Sequence, residues 1–166
     1  MTNPFDAPDA VSAAAEPLEE LLDDCNHVSS IGLFHVVPVA GTPPGPDRMK
    51  DLAQAVFDAG ISGVRLSAPV DPFESPRAWR EILHRQVTKE FMQPVTRFAD
   101  PHLRTPVEIR RTGELATAVA DVIEAHLGPV RSCGEAGGPS TGDFWWRNLL
   151  LVTDDWATVL HLGISD

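Results

Sequence analysis

The chain has 166 residues, 24 of them acidic against 13 basic, for a formal net charge of -11. At that length a single domain can bury about 70% of its unfolded surface without disulfides or metals, and 43% hydrophobic with 22% charged residues excludes fibrous and disordered classes. No run approaches the ~18 apolar residues of a membrane span, MTNPFDAPDA lacks the basic region of a secretory signal, and the acidic balance repels phosphate backbones and disfavours nucleic acid.

Residues 1–26 carry seven carboxylates (Asp6, Asp9, Glu16, Glu19, Glu20, Asp23, Asp24) and neither Lys nor Arg. Pro4 and Pro8 mark residues 1–9 as a flexible tail, ahead of one globular domain over 10–166. Pro17 in a first-turn position, followed by Leu18, Leu21, Leu22 and Cys25, predicts a short amphipathic helix with an acidic outer face. Residues 30–39 (SIGLFHVVPV) are apolar on both faces, as in a central strand, and Pro38 limits pairing. After the turn GTPPGP, Asp47 caps a helix with Met49, Leu52, Ala53, Val56 and Phe57 inward and Gly60 at its end. ISGVRL (61–66) reads as the next strand, so the strand, helix, strand order permits a parallel pair.

Ser75-Pro76 starts a helix running to about residue 92, with Trp79, Ile82, Leu83, Val87 and Phe91 as its stripe. Residues 93–111 are irregular, with VEIR (107–110) as a short edge strand, and Thr112 caps a helix over 114–127 that Gly128-Pro129 stops. Residues 132–143 include CGEAGGPSTGD and predict a mobile glycine-rich loop. NLLLVT (148–153) and ATVLHLG (157–163) flank Asp154-Asp155-Trp156 as a C-terminal hairpin. The expected fold is α+β, a mixed α/β sandwich in the order α-β-α-β-α-α-β-β: a mixed sheet with helices packed on it.

Candidate chemistry is sparse. The glycine run lacks GK[ST] and carries Glu135 and Asp143, which argues against a phosphate cradle and for a connection able to cover a site. No HExxH, CxxC or His pair at i,i+4 occurs; Asp100-Pro101-His102 offers two ligands without a third, so no metal and no cofactor are expected. A catalytic alternative would use Cys133, favoured as thiolate by nearby Arg131, with His161 or His35. Cys25, beside Asp23 and Asp24, is the poorer thiol. With no export signal, both cysteines are expected reduced in a cytoplasmic protein, and 11 arginines against two lysines point to a GC-rich bacterial coding sequence.

Trp145 and Trp146 are neighbours on a strand and point to opposite faces, so both cannot enter one core; the second is expected to be covered by a helix, the alternative being an exposed aromatic anchor beside Arg147. Tryptophan and arginine dominate binding hot spots. Basic residues over 74–114 (Arg77, Arg80, Arg85, Lys89, Arg97, Arg104, Arg110, Arg111) are expected to pair within the molecule, the acidic first helix being one option. The leading functional expectation is a small acidic protein that binds a more basic protein, as an inhibitor, immunity-type protein or chaperone. It would dock through Glu16, Glu19, Glu20, Asp23 and Asp24, or through Trp145, Trp146, Arg147, Trp156, Asp154 and Asp155. The alternative is a small enzyme or small-molecule-binding domain with its site near the glycine loop. A homodimer through the edge of VLHLG is a further option, set against coverage of that edge by the N-terminal segment.

Overall fold

A computed structural model describes residues 2–23, 28–45, 47–61, 63–91, 105–139, 143 and 145–165. Cys25, Asp24, Arg97, Asp100, His102 and Arg104, all named above, lie outside the described residues, as do His27 and Phe144.

The fold is α+β with a C-terminal hairpin, as expected. Its helices are α1 (Ala7–Asp23), α2 (Arg48–Gly60), α3 (Ala78–Arg85) and α4 (Pro106–Leu127). Its strands are β1 (Val28–Leu33), β2 (Val37–Pro38), β3 (Asp71–Pro72), β4 (Ser132–Ala136), β5 (Trp145–Val152) and β6 (Trp156–Ser165). The sheet runs β1-β6-β5-β4-β3, with β2 also on β6, and every pairing is antiparallel. One sheet face packs on α1, α3 and α4 through Ile31, Cys133, Leu149, Leu151, Leu160 and Leu162. The other meets α2 through Ala136, Leu150, Val152, Ala157 and Val159.

Several sequence expectations are corrected by this arrangement. Residues 4–6 form a 3-10 turn capped by Asn3, and α1 begins at Ala7, so no loose tail extends to residue 9. Ala7, Val11, Ala15, Leu18 and Leu22 are fully buried; alanines add little hydrophobic contrast but let α1 approach closely, and Pro17 sits on the exposed side. Among the described residues of 61–66 no strand forms, because Gln54 takes a strand partner's place: its amide donates to Val64 O and accepts from the Leu66 N–H, both at 2.8 Å. The parallel pair therefore does not form. Residues 30–39 divide between β1 at the sheet edge and β2, and β6 is interior, which removes the exposed VLHLG edge.

VEIR is helical because Thr105, Pro106 and Glu108 make a capping box: Glu108 N donates to Thr105 Oγ1 at 3.2 Å and Thr105 N to Glu108 Oε2 at 2.7 Å. Thr112 lies inside α4. After Arg85 the chain continues as a π-helical turn over Gln86–Glu90. Arg80 clamps α3 to α4, meeting Asp121 at 2.8 Å and Glu124 at 2.5 Å, so this member of the basic stripe serves α4 and not α1.

Candidate functional site

The hairpin register places Asn148 opposite His161 and Trp146 opposite Gly163, all on the face that carries α2. α2 covers only the half of that face nearest the turn. On the other half, His161 Nδ1 lies 2.7 Å from Asn148 Oδ1 and Nε2 lies 2.7 Å from Asp143 Oδ2. Asn148 Nδ2 donates to the carbonyls of Gly137 and Pro139, both at 3.2 Å, which orients its oxygen toward the imidazole. Nδ1 therefore carries hydrogen, and a second proton lies between Nε2 and the Asp143 carboxylate. The network pins both ends of the glycine-rich segment onto the sheet.

Two glycines permit this. A Cβ on Gly163 would stand 2.2 Å from Asp143 Oδ2, and one on Gly138, at φ +111, would stand 2.7 Å from the Phe57 ring. Residues 132–136 of the predicted loop are β4 itself, and Gly137 and Pro139 are held by Asn148. The sequence reading missed the roles of Asn148 and Asp143. A signal was present: in a hairpin turning at Asp154-Asp155, the polar residue within NLLLV and the one within ATVLHLG fall opposite each other.

The Cys133–histidine pairing is overturned. Cys133 pairs with Leu151 and faces the three helices, opposite to His161, because strand side chains alternate. Its thiol is buried, contacts Ser75 O at 3.4 Å, and is pushed up by burial against the opposing Trp79 backbone N–H. His35, expected on a buried strand, is exposed between β1 and β2 beside Gly60. In a Cys25→Ser variant, Cys133 is expected to react with a disulfide reagent more than about a hundredfold slower in the native state than in urea, checked by thiol titration. Among the described residues no group of three or more His, Cys, Asp or Glu is placed to hold a metal, and no helix is long and apolar enough to cross a membrane.

The aromatic set also separates. Trp145 packs edge-on against Phe91 with centroids 5.6 Å apart, while Trp146 is 41% exposed on the opposite face. Arg147 is bound bidentately by Glu135, at 2.9 and 2.5 Å, and is not available as an anchor. Trp156 packs on Phe5, with centroids 5.3 Å apart, near the turn where Arg131 holds Asp154 at 3.2 Å and Asp155 is exposed. Seven strand residues, or about 23 Å, separate that end from Trp146, so the two do not form one surface.

The acidic face of α1 is likewise divided. Glu16 and Glu20 face solvent. Asp23 Oδ1 accepts the Ser29 N–H at 2.8 Å and Glu19 accepts that of Ile31. These N–H groups point away from β6, so two carboxylates one helical turn apart cap the open edge of β1. Burial pushes the Glu19 carboxyl up, with Asp23 and Glu16 adding repulsion and the Ile31 N–H opposing. A raised carboxyl binds its proton more readily in the folded chain, so this contribution to stability is present at acid pH and lost as pH rises through the folded value. Glu19→Gln, which keeps an acceptor for Ile31, is expected to be more stable than the parent at pH 7 and to lose that advantage near pH 4, read from melting temperatures across this range.

Beside Glu19, a cleft of about 300 Å³ opens between α1 and β1, lined by Ser12, Glu19, Ser30, Gly32, Phe34 and His161 among others. Comparison with protein-family models, curated proteins and solved structures finds no match to this chain.

Proposed function

We propose that the protein works by binding another protein with a more basic surface, as an inhibitor, immunity-type or chaperone-like partner. The observation that carries this reading is Trp146, 41% exposed on the part of the sheet that α2 leaves open, with Val28, 51% exposed, on the same face. Ser30, Gly163 and Trp146 lie in one row across β1, β6 and β5, so Trp146 stands about 10 Å from the β1 edge that α1 borders. An exposed indole in a chain of net charge -11 combines an apolar anchor with long-range attraction for a basic partner. His161 offers a weaker start for catalysis, since both ring nitrogens already contact Asn148 and Asp143.

The test is capture from native lysate by the parent, by Trp146→Ala and by Asp155→Asn at the far end. The parent and Asp155→Asn should retain one basic protein stoichiometrically, less of it at high salt. Trp146→Ala should bind about thirtyfold more weakly, the loss typical of a hot spot, while its own stability changes by less than about 1 kcal/mol. Undiminished capture by Trp146→Ala, or turnover of a substrate by the purified protein, would overturn the reading.

A further inference from the structure

We infer that the cleft between α1 and β1 receives an arginine side chain of the partner, an inference that rests on the protein-binding reading and specifies its chemistry. The cleft has a volume of about 300 Å³, and its walls differ in character. Glu19 supplies a half-buried carboxylate that accepts the Ile31 N–H, and no ion pair among the described residues joins it. The first Lys or Arg of the chain is Arg48, so α1 and β1 bring no cation of their own. Ser12 and Ser30 add hydroxyl acceptors, and Phe34 adds an aromatic ring. Gly32 leaves the floor open, with nothing within 4 Å of where a Cβ would lie. His161 forms the inner end, where its Nε2 lies 2.7 Å from Asp143 Oδ2.

A ligand matching these walls has an elongated apolar stem and a cationic head with several donors. Arginine meets that description more fully than lysine. Its planar guanidinium presents five N–H donors, binds carboxylates bidentately and packs on aromatic rings. Burial that disfavours the Glu19 anion in the free protein is offset when a cation enters, so the carboxylate gains most from a partner that brings its own positive charge. The cleft borders the same half-sheet as Trp146, since Ser30 and Trp146 flank Gly163. Both elements can therefore act in one interface.

The probe is a five-residue peptide with one central arginine between glycines and serines, titrated into the isotope-labelled full chain and followed by amide NMR shifts. A matched peptide with citrulline keeps the shape and removes the charge. The expected result is saturable shifts at Glu19, Ser30, Gly32 and Phe34 with arginine and none with citrulline. Glu19→Gln should weaken binding about tenfold, the effect of losing one contact of about 1.4 kcal/mol. Gly32→Val, which adds methyl groups to open space in a strand, should abolish these shifts without altering any charge. Equal shifts with citrulline, or the same loss from Glu20→Gln as from Glu19→Gln, would overturn the inference. If the captured partner is lost by Trp146→Ala but retained in full by Glu19→Gln and Gly32→Val, the arginine cleft falls and the protein-binding reading stands.

Discussion

Replacing His161 with alanine is expected to lower the unfolding free energy by about 3 kcal/mol, toward the lower end of the loss incurred when one member of a buried pair is removed. In a chain of this size that corresponds to a fall of about 6–12 °C in melting temperature. The imidazole is 5% exposed and holds Asn148 and Asp143 at 2.7 Å each. Alanine takes away both contacts, strips the imidazole from a buried carboxylate and leaves space beneath Phe34, whose ring meets the imidazole edge-on at 5.6 Å. Asp143→Asn is expected to be far milder, at about 1 kcal/mol. An amide N–H there can donate to Nε2 of a neutral ring that still donates through Nδ1, so hydrogen bonding is kept without charge. Urea titrations of the two variants decide the point. Equal losses would mean that the ionic pairing, and not the ring's hydrogen bonding and packing, holds the loop.

Trp79→Ala is expected to cost about 3–5 kcal/mol, the range for deleting a large aromatic side chain from a core. Trp79 is fully buried on α3, in the cluster between the three helices and the sheet. Its indole N–H has no hydrogen-bond partner among the described residues, and an unsatisfied buried donor itself costs about 1–3 kcal/mol. Trp79→Phe removes that donor along with part of the ring, so the two effects oppose and the net loss should stay below about 1.5 kcal/mol. Chemical unfolding of both variants is the check. A phenylalanine variant as unstable as the alanine one would show that the indole N–H is satisfied in solution, by water or by a chain group that moves.

Local chemistry was enough to read several elements. The apolar spacing through Phe57 defines α2, although Asp47 makes no side-chain cap hydrogen bond and Gly60 is the helix's own last residue, with Ile61 as its C-cap; Gly128 ends α4; and the β-branched and leucine-rich strands around Asp154-Asp155 define the hairpin. Alternation along a strand also separated Trp145 from Trp146, although not which of them would be covered. Thr105-Pro106 with Glu108 is an equally local signal, and it competes with Thr112 for the start of the same helix.

Other features depended on contacts between distant segments. That the described residues of 61–66 are not a strand follows from the side chain of Gln54, and that Ala7 begins a buried stripe follows from the close approach of α1 to α4. Glu19 and Asp23 looked like a solvated face because helical periodicity shows which residues share a side, but not that a strand edge lies beside it. Composition, charge and short-range periodicity thus determined the α+β class, the acidic surface and the hairpin, because each depends on neighbours in sequence. The tertiary structure alone decided the strand order, the placing of His161 and Cys133 on opposite faces, and the cleft beside Glu19, because each depends on which edge and which face of the sheet another segment covers.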